Sequence, residues 1–324
     1  MNRLVLIDGH AIIHRAYHAL PPLTTSYGQP GQAAYGFVSM LLRVIDELKP
    51  THLAVCFDLP EATFRHTAYI AYQAHRPTAD QDLVDQIIMV HELVHSSGIP
   101  VYTAAGFEAD DVIGTLAREA VEDGIDEVII VTGDKDIMQL VCDNVGNGRS
   151  IKVYAPVRGF ANGKVFDEKE VFQYVGVLPS KIVDYKALMG DSSDNYPGVP
   201  GIGPKTAVGL LEKYSTLEEI YKNVRGKTEK VKSLPESVIK KLELGEESAF
   251  LSKHLATIVT DAPVELDLEK AKVHPLREDR DFVEKLKELG FKSLLTRIGG
   301  ALEGKTKTEK PKTDRKNDNQ MELL

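Results

Sequence analysis

The chain has 324 residues, 43% hydrophobic and 27% charged, with a net charge of −9, a profile of a globular protein well supplied for a core. No apolar run nears the ~20 residues that cross a bilayer, and Met1-Asn2-Arg3 before Leu4–Ile7 and Asp8 is too short and too soon acidic for a signal peptide. Cys56 and Cys142, both in apolar surroundings, read as buried thiols in a reducing compartment, so a cytoplasmic protein is expected. The charge is uneven. Residues 1–180 carry 13 Lys+Arg against 23 Asp+Glu, and residues 181–324 carry 26 against 25. The acidity sits in the N-terminal half, either as a solvated face or as acids converging on cations that reverse the local field.

In chain order, Leu4–Ile7 predicts a short buried strand ending at Asp8. Tyr35–Leu48 has helical spacing closed by Pro50, and His52–Phe57 predicts a second strand ending at Asp58. Leu83, Ile87, Val90 and Val94 recur at helical spacing until Gly98-Ile99-Pro100. Val101–Thr103 predicts a strand, Asp110–Ala120 a helix, and Glu127–Val131 a buried strand running into Thr132-Gly133-Asp134. Short apolar strands alternating with amphipathic helices predict an α/β fold with a largely parallel central sheet flanked by helices. Ligands of such sheets gather at the carboxyl ends of the strands, where Asp8, Asp58 and Asp134 fall. From about Phe166 the chain reads as helical with short turns, notably Gly198–Pro204. Residues 303–319 lack any large apolar side chain and predict a disordered tail.

Nine carboxylates carry the chemistry: Asp8, Asp58, Glu108, Asp110, Asp111, Asp134, Asp136, Asp191 and Asp194. Singly, each has a plain explanation, and Asp110 or Asp136 could cap its helix. Together, most fall at one edge of one sheet and would repel strongly unless cations neutralise them. Hard oxygen ligands suit Mg²⁺, or Mn²⁺ in its place, rather than zinc. Two such ions ~4 Å apart could activate a water and stabilise the leaving oxygen of a phosphodiester, with no Ser, Cys or His nucleophile. From topology alone, a metal-dependent phosphodiesterase and a mere acidic rim both stay open.

The run Gly198-Val199-Pro200-Gly201-Ile202-Gly203-Pro204-Lys205-Thr206-Ala207 adds a glycine-rich hairpin opening into a helix, with Pro204 in its first turn. Its glycines let backbone N–H groups approach phosphates, and the helix N-terminus adds positive potential. A helix–turn–helix needs glycine anyway, but the pattern is similar to helix–hairpin–helix modules that grip duplex backbones without reading bases.

With these segments in hand, the chain resembles the 5′-nuclease domains of bacterial DNA polymerase I, within the flap endonuclease family. The resemblance rests on Arg15-Ala16-Tyr17-His18-Ala19, Pro21-Pro22-Leu23, Phe57-Asp58, Phe64-Arg65, Glu108–Asp111, Thr132–Asp136 and Met189–Ala207, in family order. It implies a PIN-like catalytic domain over residues 1–175 with an arch near 60–80, and a helical DNA-binding domain over 176–300. It implies ligands, direct or through water, for a first metal at Asp8, Asp58, Glu108, Asp110 and Asp111, and for a second at Asp134, Asp136, Asp191 and Asp194. Arg65, Tyr72 and Arg76 match the arch that guides the single-stranded 5′ end. Arg15, Gly198, Gly201, Ile202, Gly203, Lys205 and Thr206 match DNA contacts, with a monovalent cation such as K⁺ at the hairpin. The implied partners are DNA with a free 5′ end or flap and RNA-primer hybrids, met as a cytoplasmic, nucleoid-associated monomer.

Two departures are informative. The family usually has a lysine directly after the tyrosine at position 72, and here Gln73 stands there. The expectation is a slower but working enzyme, with a catalytically weak DNA-junction binder as the alternative, because glutamine cannot stabilise developing charge as a cation does. The chain also ends where a polymerase would continue, which reads as a free-standing nuclease. Its last five residues, Gln320-Met321-Glu322-Leu323-Leu324, are similar to peptides that dock on the bacterial sliding clamp. A rival motif, His91-Glu92-Leu93-Val94-His95, spells a zinc-protease signature. Its third histidine would fall at Val101, and His91 and His95 share a stripe with Val84 and Ile88, so a partly buried helix face is the better reading. A PIN-type ribonuclease would share the sheet but would need neither the hairpin nor the pair Asp191 and Asp194.

Overall fold

A computed structural model of the chain describes residues 1–76, 78–157 and 162–299. The expected tail and the peptide Gln320–Leu324 lie outside the described residues. Seven strands form one sheet: β1 (Arg3–Asp8), β2 (His52–Cys56), β3 (Val101–Tyr102), β4 (Glu127–Val131), β5 (Cys142–Gly146), β6 (Arg149–Val157) and β7 (Asn162–Phe166). Their order is β3-β2-β1-β4-β6-β5, with β7 also on β6. The first four pair in parallel, as do β4 and β6, while β5 and β7 run antiparallel to β6.

Strand β1 reads as an unbroken apolar run because both faces of the sheet are covered. Alternation divides it. Val5 and Ile7 join the cluster under α1 (Gly9–Ala19), α2 (Gln32–Leu48) and, beyond the short α3 (Phe64–Ala68), α4 (Gln81–Ser96). Leu4 and Leu6 join the opposite cluster, under α5 (Ala109–Glu122). That second cluster continues through Val171 of α6 (Glu168–Val175) and Leu188 of α7 (Ile182–Met189) to Leu210 of α8 (Pro204–Lys213). The expected boundary at 175/176 thus falls inside one continuous core.

The helical part goes on through α9 (Leu217–Arg225), α10 (Glu229–Lys232), α11 (Glu236–Leu244) and α12 (Glu246–Ala256). The chain then returns to the sheet, where Leu53 N–H donates to Ala271 O at 2.7 Å. Helices α13 (Arg280–Glu288) and α14 (Lys292–Arg297) close over the first cluster through Phe282, Leu286 and Leu294. Cys56 is buried, but Cys142 is only partly so, since it opens the edge strand β5. Among the described residues no helix is long and apolar enough to cross a membrane.

Candidate metal centre and nucleic-acid interface

Adjacent strands β2, β1 and β4 bring Asp58, Asp8 and Asp134 to one edge of the sheet. Asp8 stands where the connections turn from one side of β1 to the other, the place where open α/β sheets bind ligands. It also caps α1. Ala11 N–H donates to its Oδ1 at 3.0 Å, and Thr132 Oγ1 donates to its Oδ2 at 2.6 Å. Asp58 Oδ1 accepts from Ala109 N–H at 2.8 Å, while its Oδ2 lies 3.3 Å from His10 Nδ1. Thr132 and His10 are positioning residues that the sequence reading missed, though each lies within two residues of a predicted acid.

Helix α5 starts at the same edge, and its first turn sorts three acids into different roles. Asp111 is fully buried, and its carboxylate is saturated. It accepts from Arg65 at 2.6 and 2.8 Å, from Glu108 N–H at 3.1 Å and from Val259 N–H at 3.0 Å. Asp111, expected to serve the first metal directly or through water, clamps α5 to the returning chain. The expectation for Arg65 is corrected. Rather than arching over the site, its guanidinium is 3% exposed and also donates to the Leu255 and Thr257 carbonyls. Glu108 Oε2 accepts from the buried Tyr72 hydroxyl at 3.2 Å, which places Tyr72 against the acids rather than above them. Asp110 neither caps α5 nor accepts a hydrogen bond among the described residues.

A second acidic group is built on the loop after α7. Gly190 has φ +76° and Gly198 φ +60°, and a Cβ on Gly198 would lie 2.2 Å from Gly190 N. Only glycine lets the two strands of the loop touch there, and the closed neck presents Asp191 and Asp194. With Asp136, these two offer carboxylate oxygens all within 4.8 Å of one another. Asp136 was a candidate cap, but the turn it opens is supported by Asp134, whose Oδ1 accepts Asp136 N–H at 2.8 Å.

Protein cations neutralise this triad. Lys186 Nζ lies 2.5 Å from Asp136 Oδ1 and also binds Asp191, while Arg76 donates to Asp194 at 2.7 Å. Gln73 holds Asp194 as well, through its side-chain amide at 3.2 Å and its backbone N–H at 2.9 Å. Lys186 was not foreseen. Its signal is a lone lysine in an apolar helix, five residues before Asp191. Lys186→Met is expected to tighten Mn²⁺ binding roughly tenfold, the worth of an ion pair of about 1.4 kcal/mol. Titration calorimetry of the DNA-free protein measures this, and an unchanged affinity would contradict it.

Burial raises the proton affinity of several of these acids. It pushes Asp8, Glu108 and Asp136 up to about 7, with nearby carboxylates adding to it. Burial also drives Asp110 well above its ordinary range, and Asp134, Asp8 and Asp58 add to that. Burial pushes Asp191 upward too, but the Lys186 ammonium and backbone donors hold it low. The donor set therefore fits hard divalent cations: oxygen-only, crowded, and costly to ionise unpaired. Between about pH 4 and 7 the metal-free fold binds more protons than the unfolded chain, so its stability falls as pH rises. His14, His52 and His91, lowered by burial, act in the opposite sense through smaller shifts. In chelator, Tm is expected to be higher at pH 5 than at pH 7.5, and excess Mg²⁺ should reverse that order. A Tm that rises with pH in chelator would contradict the assignment.

Beyond the acids, Gly203 and Pro204 open α8, and the N–H groups of Gly201, Gly203 and Lys205 make no hydrogen bond among the described residues. Ile202 is 4% exposed in the helical core, while Thr206 is half-buried and its backbone N–H donates to Gly203 O at 3.0 Å. Lys205 is exposed and joins no ion pair there. Arg15 reaches across to Pro156 O at 2.7 Å, beside Gly133. The protease signature dissolves: His91 stacks on Phe57 with centroids 3.9 Å apart, whereas His95 is exposed and Ile88 55% exposed. The shared stripe expected for the two histidines is thus half-buried at Val84 and His91 and exposed at Ile88 and His95.

Residues 3–176 match the family described as 5′-3′ exonuclease, N-terminal resolvase-like domain, and residues 177–279 match its C-terminal SAM fold. The chain belongs to the 5′-3′ exonuclease family. It is 40% identical over 300 residues to the 5′-3′ exonuclease of Aquifex aeolicus, covering 92% of this chain and 96% of that one. It is 37% identical over 298 residues to DNA polymerase I of Bacillus subtilis, with 92% of this chain and 32% of the relative covered. The chain thus spans about a third of the length of the DNA polymerase I relatives. The fold is shared with bacteriophage T5 flap endonuclease in a complex with DNA and metal ions (TM-score 0.63, 18% identity, 92% and 97% coverage). It is also shared with the catalytic core of Rad2 bound to DNA substrate (TM-score 0.55, 15% identity, 92% and 91% coverage). Family membership makes the chain a phosphodiester hydrolase that works from 5′ ends.

Proposed function

We propose that the chain cuts DNA near free 5′ ends, flaps and RNA-primer junctions included, with two divalent ions, Mg²⁺ in the first instance. The observation that carries this reading is the meeting of two acidic groups beside a hairpin whose Gly201, Gly203 and Lys205 N–H groups make no hydrogen bond among the described residues. Asp8, Asp58, Glu108 and Asp110 would hold one ion, and Asp134, Asp136, Asp191 and Asp194 the other. Bound there, the ions would supply an activated water and Lewis-acid stabilisation of the leaving oxygen.

The chain's own residues do the positioning. Thr132 and the α1 N-terminus fix both oxygens of Asp8. The α5 N-terminus fixes Asp58, and the glycine neck fixes Asp191 and Asp194. Outside the acids, the hairpin 198–205 offers backbone donors and Lys205 to duplex phosphates, which sets register without reading sequence. A monovalent cation such as K⁺ belongs to the same proposal for the hairpin. Arg76, 56% exposed at its side chain, is the arch cation best placed to meet an incoming strand.

Cleavage of labelled 5′-flap, 3′-flap and single-stranded RNA substrates in Mg²⁺ tests this function. Cutting confined to the base of the 5′ flap supports it, and preferred cutting of single-stranded RNA would overturn it. Gln73 bears on rate. Its amide faces Asp194, where a lysine would bring a third cation, so Gln73→Lys is expected to raise single-turnover cleavage by about tenfold. Equal rates would show that Arg76 and Lys186 already suffice.

A further inference from the structure

The acids that face Lys186 line only part of a cavity of about 590 Å³, whose wall also holds an aromatic and apolar stretch beside Arg76 and Lys135. Its volume lies within the ~300–1,000 Å³ of small-ligand sites. Tyr174, near the C-terminus of α6, forms part of that wall together with Val175 and Tyr185. Lys135, the residue between Asp134 and Asp136, holds its Nζ 5.2 Å from the centre of the Tyr174 ring. Phe166 meets the same ring edge-on at 5.5 Å. The ring is thus fixed in place, yet the residue is 51% exposed. Phe172, two residues earlier on the same helix, is as exposed at 49% but does not line the cavity.

A half-exposed aromatic ring costs apolar hydration unless something stacks on it, and a ring steadied by a lysine is a platform for a nucleobase. A phosphate at the acids would carry its own nucleoside into the same cavity. We propose that Tyr174 stacks on a nucleobase adjoining the scissile phosphate, so that Lys135 and Tyr174 form a base subsite beside the metal centre. The inference rests on the proposed function and extends it to the nucleotide flanking the cut. Stacking reads any base by its flat face, so the subsite would recognise the presence of a base rather than its identity.

The test is a fluorescence titration of 5′-flap duplexes bearing 2-aminopurine on either side of the junction, with Ca²⁺ present to neutralise the acids. Wild type and Tyr174→Trp are expected to quench one of the two probes. Tyr174→Ala should leave both unquenched and weaken affinity about tenfold. An abasic residue at the quenched position should bring wild type and Tyr174→Ala to the same affinity. Phe172→Ala is expected to change nothing. Equal quenching and affinity for wild type and Tyr174→Ala would overturn the proposal, as would an equal loss from Phe172→Ala. Failure of the nuclease reading is seen separately, as a 5′ flap left uncut in Mg²⁺.

Discussion

Asp110→Asn is expected to lower flap cleavage by about 10³-fold or more, and at the same time to raise the Tm of the metal-free protein. The two effects share one cause. Asp110 has no hydrogen-bond partner among the described residues, and burial with the charges of Asp134, Asp8 and Asp58 drives its proton affinity well up. Such a carboxylate destabilises the fold and is retained only where a cation rewards it. Asparagine keeps the shape, removes the charge, and forfeits a ligand oxygen worth several kcal/mol of transition-state stabilisation, which is the stated rate loss. Thermal melts in chelator, set beside single-turnover cleavage in Mg²⁺, measure both effects. A variant that is less stable without metal, or cuts within tenfold of wild type, would remove Asp110 from the metal site.

Arg65→Met is expected to destabilise the fold by about 3–5 kcal/mol, because it strands a fully buried carboxylate. The pair is close to dry, with side chains 3% and 0% exposed, and the guanidinium is bidentate on Asp111. It also ties the start of α5 to the chain returning from α12 through the Leu255 and Thr257 carbonyls. Arg65→Lys should recover only part of the loss, since an ammonium cannot reproduce two parallel hydrogen bonds. Urea denaturation decides the matter, and a loss below about 1 kcal/mol would show that Asp111 finds another partner. Arg65 is accordingly better regarded as the brace of the metal centre than as part of its arch.

Much of this arrangement was legible in the residues. Strands β1, β2 and β4 are short, apolar and each followed by an acid, so their order along one edge follows from ordinary α/β topology. Helix α1 was not legible: His10, His14, Arg15 and His18 interrupt its apolar stripe, and its N-cap is Asp8, already assigned to chemistry. Strands β5, β6 and β7 all escaped notice: β5 and β7 are edge segments with mostly polar residues, and Arg149, Ser150, Lys152 and Pro156 break up the apolar run of β6. Residue type also failed to distinguish Asp110 from Asp111. One is a free carboxylate and the other a clamped one, and the difference lies in Arg65, 46 residues away. Lys186 was hidden for the same reason, since its partner Asp136 is brought to it only by the fold.

The most direct test of the central claim is single-turnover cleavage of a labelled 5′-flap duplex in Mg²⁺ and in chelator. A cut at the base of the flap is expected in Mg²⁺, and an intact substrate in chelator. An intact flap in Mg²⁺, or equal cutting with the metal removed, would contradict it.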